Sequence, residues 1–440
     1  MRLKRIGLTR FKAFQQAEIE VAPLTVLIGK NNAGKSTVLH ALTLLAQTVE
    51  RPNPEQLSTS GERVDLGNDP LDLTHGPRHE GWGISLVWEG EVEGLRTTTQ
   101  LDVKTHQPSE PYRQIFDTER VVSIRLTDQI TIRVAVSWPF SNQNEAFRVE
   151  ATGPNIALST KAQAGMSSAW NSYPATSYSN VPMEIEAAKE GRGDAIERLA
   201  YQVATPLLMH ALPQSIRSFR YVGADRHVKS SAFEVRQGPV ENPKTAEEIV
   251  NALAFNRTIR ERVSADCRRV FTFGIDSQLI AGPKLTLVAV DENGRALNAV
   301  NLGSGFVQFA WILAHLDMAV ADALTYPIHH PIPFVGVEEP ELHLHPAQQP
   351  DIATILVNYV NANRQIITTT QSEHLLMAFL QLVLEGQITP DDLAVYYVEK
   401  GTVQRLRVDA QGRLDGGLKG FFEADEKELL SRLETLLGSK

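Results

Sequence analysis

The sequence predicts an α/β fold in which a half-antiparallel N-terminal lobe, a helical insertion and a C-terminal parallel-sheet lobe follow one another. Three observations carry the prediction. Short alternating runs fill the chain to about residue 150, a strand, glycine turn and helix follow in succession over residues 24–42, and from about residue 273 strands alternate with helices. Apolar residues at every second position mark half-buried strands, and strands separated by helical patterns need crossovers, which build parallel sheets.

Each segment has its own signals. In the first, "KRIGLTRF", "AEIEVA", "LTVLIG", "WGISLVWEG", "RTTTQLDV", "VVSIRL" and "QITIRVAVSW" read as strands. Residues 157–182 are rich in Ser, Ala, Asn and Pro without periodicity and are expected to be a mobile loop. Helical patterns follow at "AIERLAYQVATPLLMHAL" and "TAEEIVNALAFNRTIRERVSADCRRVF". The last segment runs strand "KLTLVAVD", helix "FVQFAWILAHLDMAVADAL", strand "PFVGV", helix "QQPDIATILVNYVNA", strand "RQIITTT" and helix "SEHLLMAFLQLVLE". The expected organisation is therefore 1–150, 151–272 and 273–440, with no internal repeat.

Composition limits the function classes. A chain of 440 residues with 42% hydrophobic content can bury a large core. Its single cysteine, Cys267, excludes a disulfide framework and a cysteine zinc site, and suits a reducing compartment. No apolar run is expected to approach membrane-spanning length, and "MRLKRIGLTRFKAF" alternates like a strand instead of forming a signal core, so a cytoplasmic protein without a membrane is expected. A net charge of -9 argues against a surface that coats nucleic acid indiscriminately.

Residues 27–42, "LIGKNNAGKSTVLHAL", contain Gly29-x-x-x-x-Gly34-Lys35-Ser36 between an apolar strand and a helix. That context supports a phosphate loop. Backbone N–H groups turn inward around an anion, and the helix presents its positive end to the same point. The candidate contacts are Gly29, Asn31, Asn32, Ala33, Gly34, Lys35, Ser36 and Thr37. Lys35 would reach the β- and γ-phosphates of ATP and Ser36 would ligate Mg2+.

About 300 residues later, "PFVGVEEPELHLHP" ends a strand in two carboxylates. An acid at this place in a nucleotide site holds Mg2+, and its neighbour orients and deprotonates the attacking water, which assigns Glu338 to the metal and Glu339 to the base. By itself the pair is an ordinary solvated turn; the phosphate loop gives it a purpose. Before it, "NLGSGFVQF" places Gly303, Ser304 and Gly305 ahead of a long apolar helix. This is either a plain glycine turn or a second anion-binding helix start. One chain needs a single phosphate loop, so the second option points to a second copy whose nucleotide these residues would cap.

Loop, Ser-Gly turn, Glu-Glu strand and "ITTTQSEHLL", in that order around a large insertion, resemble the ABC-type P-loop ATPase heads of the SMC, RecF and OLD group, and most of all the OLD-related prokaryotic AAA family ATPases. Supporting features are "RFKAF", "VDLGNDPLDLTHG", "YVGADR" and the ending "AVYYVEKGTVQRLRVDAQGRLDGGLKGFFEADEKELL". The resemblance implies an ABC-type P-loop NTPase head, ATP and Mg2+ as cofactors, and association as a homodimer or higher homo-oligomer through shared nucleotide sites.

Two departures bear on activity. Where the family commonly has Thr-His-Ser, this chain has Thr370-Gln371-Ser372; Gln371 can donate a hydrogen bond to phosphate but cannot carry a proton charge, which implies slow or partner-dependent hydrolysis. His374 is the other sensor candidate, or a structural histidine. The stretch after Gln371 is expected to be too short for the Toprim nuclease domain of the OLD nucleases.

Three further features have competing readings. His343 and His345 sit at alternate positions but lack a third clustered ligand for a metal. Arg226 would approach phosphate, a partner subunit or a surface acid. Arg257, Arg260, Arg262, Arg268 and Arg269 form a basic helical face suited to DNA phosphates, or a solvated face paired with interleaved Glu261 and Asp266. The leading expectation is an ATP-switched oligomer that senses or scaffolds and controls a separate nuclease or toxin-like effector, with prokaryotic antiphage defence implied by the resemblance. The alternative is a RecF-like DNA-binding protein of repair; a nuclease in its own right is the weakest reading.

Overall fold

The computed structural model describes residues 1–440 apart from 51–56, 62, 68, 93, 106–115, 140–145, 154–155, 163–180, 191, 225, 227–231, 236–245, 281, 326–330 and 416–440. Along the chain run β1 (Arg2–Phe11), β2 (Phe14–Glu20), β3 (Leu24–Ile28), α1 (Lys35–Val49), β4 (Gly83–Val92), β5 (Leu95–Thr105), β6 (Phe116–Arg125), β7 (Thr131–Pro139), β8 (Ala146–Gly153) and β9 (Ile156–Ala162). Next come α2 (Val181–Lys189), α3 (Gly193–Pro206), α4 (Leu212–Arg217), β10 (Phe219–Val222), β11 (Phe233–Glu234), α5 (Ala246–Phe255), α6 (Arg257–Phe271), β12 (Gly274–Ile280), β13 (Lys284–Val290) and β14 (Ala296–Asn298). The remainder is α7 (Ser304–Thr325), β15 (Phe334–Glu338), α8 (Gln349–Asn361), β16 (Gln365–Thr370), α9 (Glu373–Leu384), β17 (Leu393–Glu399) and β18 (Thr402–Leu406).

The chain folds as the α/β class expected. Its contacts group into two compact units, one of residues 1–21, 36–221 and 318–335, the other of 22–35, 222–317 and 336–440. The first contains an eight-stranded antiparallel sheet in the order β2-β1-β4-β5-β6-β7-β8-β9. Alternation works as the sequence implies: Val122, Ile124, Ile132, Val134, Val149 and Ala151 turn inward and bury against Ile196, Leu199, Val203 and Leu208 of the helical segment. Burial of each Val, Ile or Leu side chain among these is worth about 1.5–3 kcal/mol. After Pro206, which removes a backbone donor, the helix widens into a π-turn over Leu207–Ala211 before α4.

The expected loop at 157–182 is corrected at its start. Residues 156–162 form β9, paired with β8 through Val149 and Thr160, Ala151 and Leu158, and Gly153 and Ile156. The ladder extends by one hairpin because every second residue of the run continues the pattern of β8. Residues 163–180 lie outside the described residues.

The six-stranded sheet has the order β10-β15-β16-β3-β17-β18. Strand β3 sits between β16 and β17, parallel to both, with Leu24 opposite Ile366 and Leu393. All five of its residues are buried, as expected for a central parallel strand covered on both faces. A third sheet joins β11, β13, β12 and β14.

One expectation about membranes needs correction. Ser304–Leu324 has the length and mean hydropathy, 1.3, of a membrane span, yet 72% of that window is buried within the fold. Small residues and two acids, Asp317 and Asp322, interrupt its apolar run, which is why the sequence reads as a core helix.

Candidate nucleotide site

At the end of β3 the chain turns through Gly29 to Gly34 and enters α1 at Lys35. Gly29 and Gly34 have φ of 154° and 107°, and Asn32 has φ of 62°, a conformation asparagine tolerates better than most residues. Gly29 has a second reason to be glycine. A Cβ there would lie 2.2 Å from the carbonyl oxygen of Val398 on β17. Lys30, Asn31 and Asn32 are exposed at the loop tip, whereas Ala33, Lys35 and Thr37 are buried.

Lys35 Nζ curls back into the loop, donating to the carbonyls of Gly29 at 2.8 Å and Lys30 at 3.1 Å, and lies 3.9 Å from Glu339 Oε1. Burial holds its pKa below the usual lysine value, and Glu339, Glu341 and Glu338 oppose that pull. Ser36 follows it directly in the first turn of α1.

Strand β15 delivers the two acids. Glu338, its last residue, is buried, while the Glu339 side chain is 18% exposed. Glu339 has φ of 40°, a left-handed conformation costing a non-glycine residue on the order of 1–3 kcal/mol. Its N–H is held by the Thr369 carbonyl at 2.9 Å, and Gln371 Nε2 donates to its carboxylate at 3.1 Å. Gln371, not His374, is thus the residue that meets the candidate base. His374 is exposed on α9.

A third acid completes the cluster. Glu341 is buried; its Oε1 accepts from the Thr370 hydroxyl at 2.5 Å and the Gln371 N–H at 3.3 Å. Burial pushes its carboxyl above the ordinary range, with the Thr370 hydrogen bond pulling the other way. The sequence reading passed over Glu341, although its place two residues after Glu339 was a usable signal.

Arg226 lies behind the two acids. It is 3% exposed, and Nη1 donates to the carbonyls of Gly223, at 2.8 Å, and Glu338, and Nη2 to the carbonyl of Glu339 at 2.8 Å. Nearby, the Ala224 N–H reaches Glu338 Oε2 at 3.3 Å.

The Gly303-Ser304-Gly305 turn opens α7 as expected. A Cβ on Gly305 would lie 2.4 Å from the His343 carbonyl oxygen, so this glycine packs against the turn that follows the acids. Among the described residues no side-chain hydrogen bond joins Ser304 to Lys35, Glu339 or Gln371. His345 caps the short helix at Pro346–Gln348 through Nδ1, and among the described residues no group of three or more His, Cys, Asp or Glu side chains is arranged to hold a metal. For Mg2+ bound with nucleotide phosphates, a protein needs to offer only one or two hard oxygen donors, and Ser36 and the Glu338 carboxylate are of that kind.

The basic helical face resolves into pairs. Arg257 meets Glu261 at 2.6 Å, Arg260 meets Asp276 at 3.1 Å, Arg262 meets Asp317 at 3.8 Å and Arg269 meets Asp266 at 3.4 Å. Cys267, on the same helix, is fully buried and burial pushes its thiol pKa up, as an inert core residue requires.

Comparison with known proteins matches two segments to families. Residues 1–79 match the family described as "AAA ATPase domain", and residues 227–378 match "AAA domain, putative AbiEii toxin, Type IV TA system". No curated protein matches the chain. Solved structures similar to it include an SMC head domain from Thermotoga maritima, 14% identical over 93% of this chain and 100% of that one, with a TM-score of 0.39. An SmcHead bound to the C-winged helix domain of ScpA is 11% identical over 92% and 97%, with a TM-score of 0.40. An Smc head domain with an extended coiled coil, bound to the C-terminal domain of ScpA derived from Pyrococcus furiosus, is 11% identical over 98% and 99%, with a TM-score of 0.38. The first matched segment contains the glycine loop and Lys35; the second contains Glu338, Glu339 and Gln371, so both halves of the candidate site fall in segments that match AAA family models.

Proposed function

We propose that the protein binds and hydrolyses ATP with Mg2+, associates as a homodimer or higher homo-oligomer through shared nucleotide sites, and acts in the cytoplasm as a sensor or scaffold controlling a separate nuclease or toxin-like effector, in prokaryotic antiphage defence. The observation that supports it best is the meeting of Lys35, Glu339 and Gln371, at 3.9 Å and 3.1 Å, at the ends of β3, β15 and β16.

In this reading Lys35 leaves the Gly29 and Lys30 carbonyls to bind the β- and γ-phosphates, and the loop N–H groups from Gly29 to Thr37 take the remaining phosphate oxygens. Ser36 and Glu338 would hold Mg2+, which when bound neutralises charge on the phosphate oxygens. Glu339 accepts the proton of the attacking water, and Gln371 orients the Glu339 carboxylate. Gly303, Ser304 and Gly305 cap the nucleotide of a second copy. The slow turnover expected from Gln371 suits a switch whose ATP-bound state is the signal.

The test is isolation from the native host in ATP and Mg2+, with identification of what accompanies the protein and measurement of ADP formed. A stoichiometric effector and Mg2+-dependent turnover support the proposal. Recovery with DNA alone, salt-sensitive and ATP-dependent, moves the reading to a RecF-like repair protein. Four of the five helix arginines pair with neighbouring acids, and the RecF-like reading is equally compatible with the fold.

A further inference from the structure

We infer that Arg226 is a positioning residue for catalysis: its buried guanidinium sets the direction of Glu339 by gripping the backbone of both acids from behind. The inference rests on the ATPase reading and deepens it.

The geometry is specific to that task. Nη1 and Nη2 reach the carbonyls of two successive residues, Glu338 and Glu339, while Nη1 also holds Gly223 of its own segment. A second tie from that segment, the Ala224 N–H, reaches the Glu338 carboxylate at 3.3 Å. The Arg226 N–H also donates to the Ala224 carbonyl at 3.1 Å. Gly223, Ala224 and Arg226 therefore act as a clip on the end of β15.

What the clip opposes is visible in the backbone. Glu339 sits at φ 40°, in a region an L-residue leaves when nothing holds it there. Its N–H is fixed by Thr369 on one side and its carbonyl by Arg226 on the other. With both peptide groups pinned, the carboxylate is directed to Gln371 at 3.1 Å and Lys35 at 3.9 Å. If the Glu339 carbonyl is released, the following peptide can rotate and the carboxylate leaves those partners. Arginine suits the place because its planar fork spans two acceptors at once and stays charged when buried; a lysine head is a single point. Displacement of a reacting group by about 1 Å costs on the order of 100-fold in rate.

The experiment compares the full-length parent with Arg226→Met and Arg226→Lys in ATP and Mg2+, measuring kcat, ATP affinity and melting temperature. The expected result is a fall in kcat of about 10- to 100-fold for Arg226→Met with ATP affinity within about threefold of the parent, and partial recovery for Arg226→Lys. In a Glu339→Gln background the same substitution should lower the residual rate by less than about twofold, because the group it positions is already gone. An unchanged kcat, a loss that multiplies in full onto Glu339→Gln, or loss of affinity and melting temperature in step with kcat would overturn the inference. Failure of both variants to fold would mark Arg226 as purely structural and would overturn it as well. A parent protein that turns over no ATP overturns the ATPase reading itself, a result distinct from an active parent with unaffected variants.

Discussion

In the loop at 29–36 the unusual backbone angles fall on Gly29, Asn32 and Gly34, whereas in the turn at 338–343 they fall on Glu339 and His343. Both segments shape one site, yet the first spends residue identity on conformation and the second cannot. In the proposed mechanism Glu339 must be an acid to act as a base, so its left-handed geometry is held from outside by Thr369 and Arg226. The loop should therefore tolerate changes around it better than changes within it, and the turn should depend on residues remote in sequence.

The largest expected effects separate the two regions directly. Lys35→Ala should abolish measurable nucleotide binding, while Glu339→Gln should bind ATP and lower turnover by about 100- to 10,000-fold, trapping the associated state. Equilibrium binding and single-turnover assays check both, and a Glu339→Gln variant hydrolysing at the parent rate removes the base assignment.

Next in size is Gly29→Ala. The added methyl meets the Val398 backbone, which has no flexible end to withdraw, so destabilisation of about 3 kcal/mol and loss of ATP binding are expected in denaturant titration and binding measurements. Normal stability and binding would show that β17 does not constrain the loop.

The turn responds to a remote partner in the same way. Glu341→Ala leaves the Thr370 hydroxyl and Gln371 N–H without their acceptor and should cost about 1–3 kcal/mol, whereas Glu341→Gln keeps an acceptor and should cost less. Because burial raises the Glu341 pKa above 4.5, its contribution to stability is greatest at low pH and is lost as pH rises through the raised value. Glu341→Gln should flatten that part of the profile.

The smallest effect lies in α1, the helix behind the loop. His40 Nδ1 is 2.8 Å from Lys12 Nζ, and burial first, then Lys12, lowers its pKa from 6.5 to about 4. The unfolded chain therefore binds a proton that the folded chain refuses, so stability falls as pH drops from 6.5 towards 4 and is unaffected above that window. Allowing for partial exposure, the loss is about 1–2 kcal/mol. His40→Gln should remove it from a melting series across that range.

The same contrast explains what the sequence disclosed. The phosphate loop was legible because glycine positions and flanking strand and helix lie within one short run. Glu338 and Glu339 were legible because an apolar strand ends at them. For Arg226 the sequence shows the charge of a guanidinium, not the two carbonyls that it grips. The start of the 157–182 segment was missed because Ser and Thr in β9 hide a period-two pattern that only pairing with β8 reveals. Likewise, Asp317 and Asp322 break the apolar run of α7 in the sequence, although its length and mean hydropathy are those of a span and its burial within the fold accounts for them.

The place of β3 between β16 and β17 has a consequence for biosynthesis. The strand that carries the loop emerges from the ribosome early, but its two neighbours are separated from it by roughly 340 and 365 residues of chain. At about 5–20 residues per second the growing polypeptide spends on the order of 20–70 s with an apolar strand that has nothing to pair with. Nascent chains stalled before β17 should thus fail to retain ATP, and their exposed β3 should recruit chaperones, so that nucleotide capture reports that the far end of the sheet has been made.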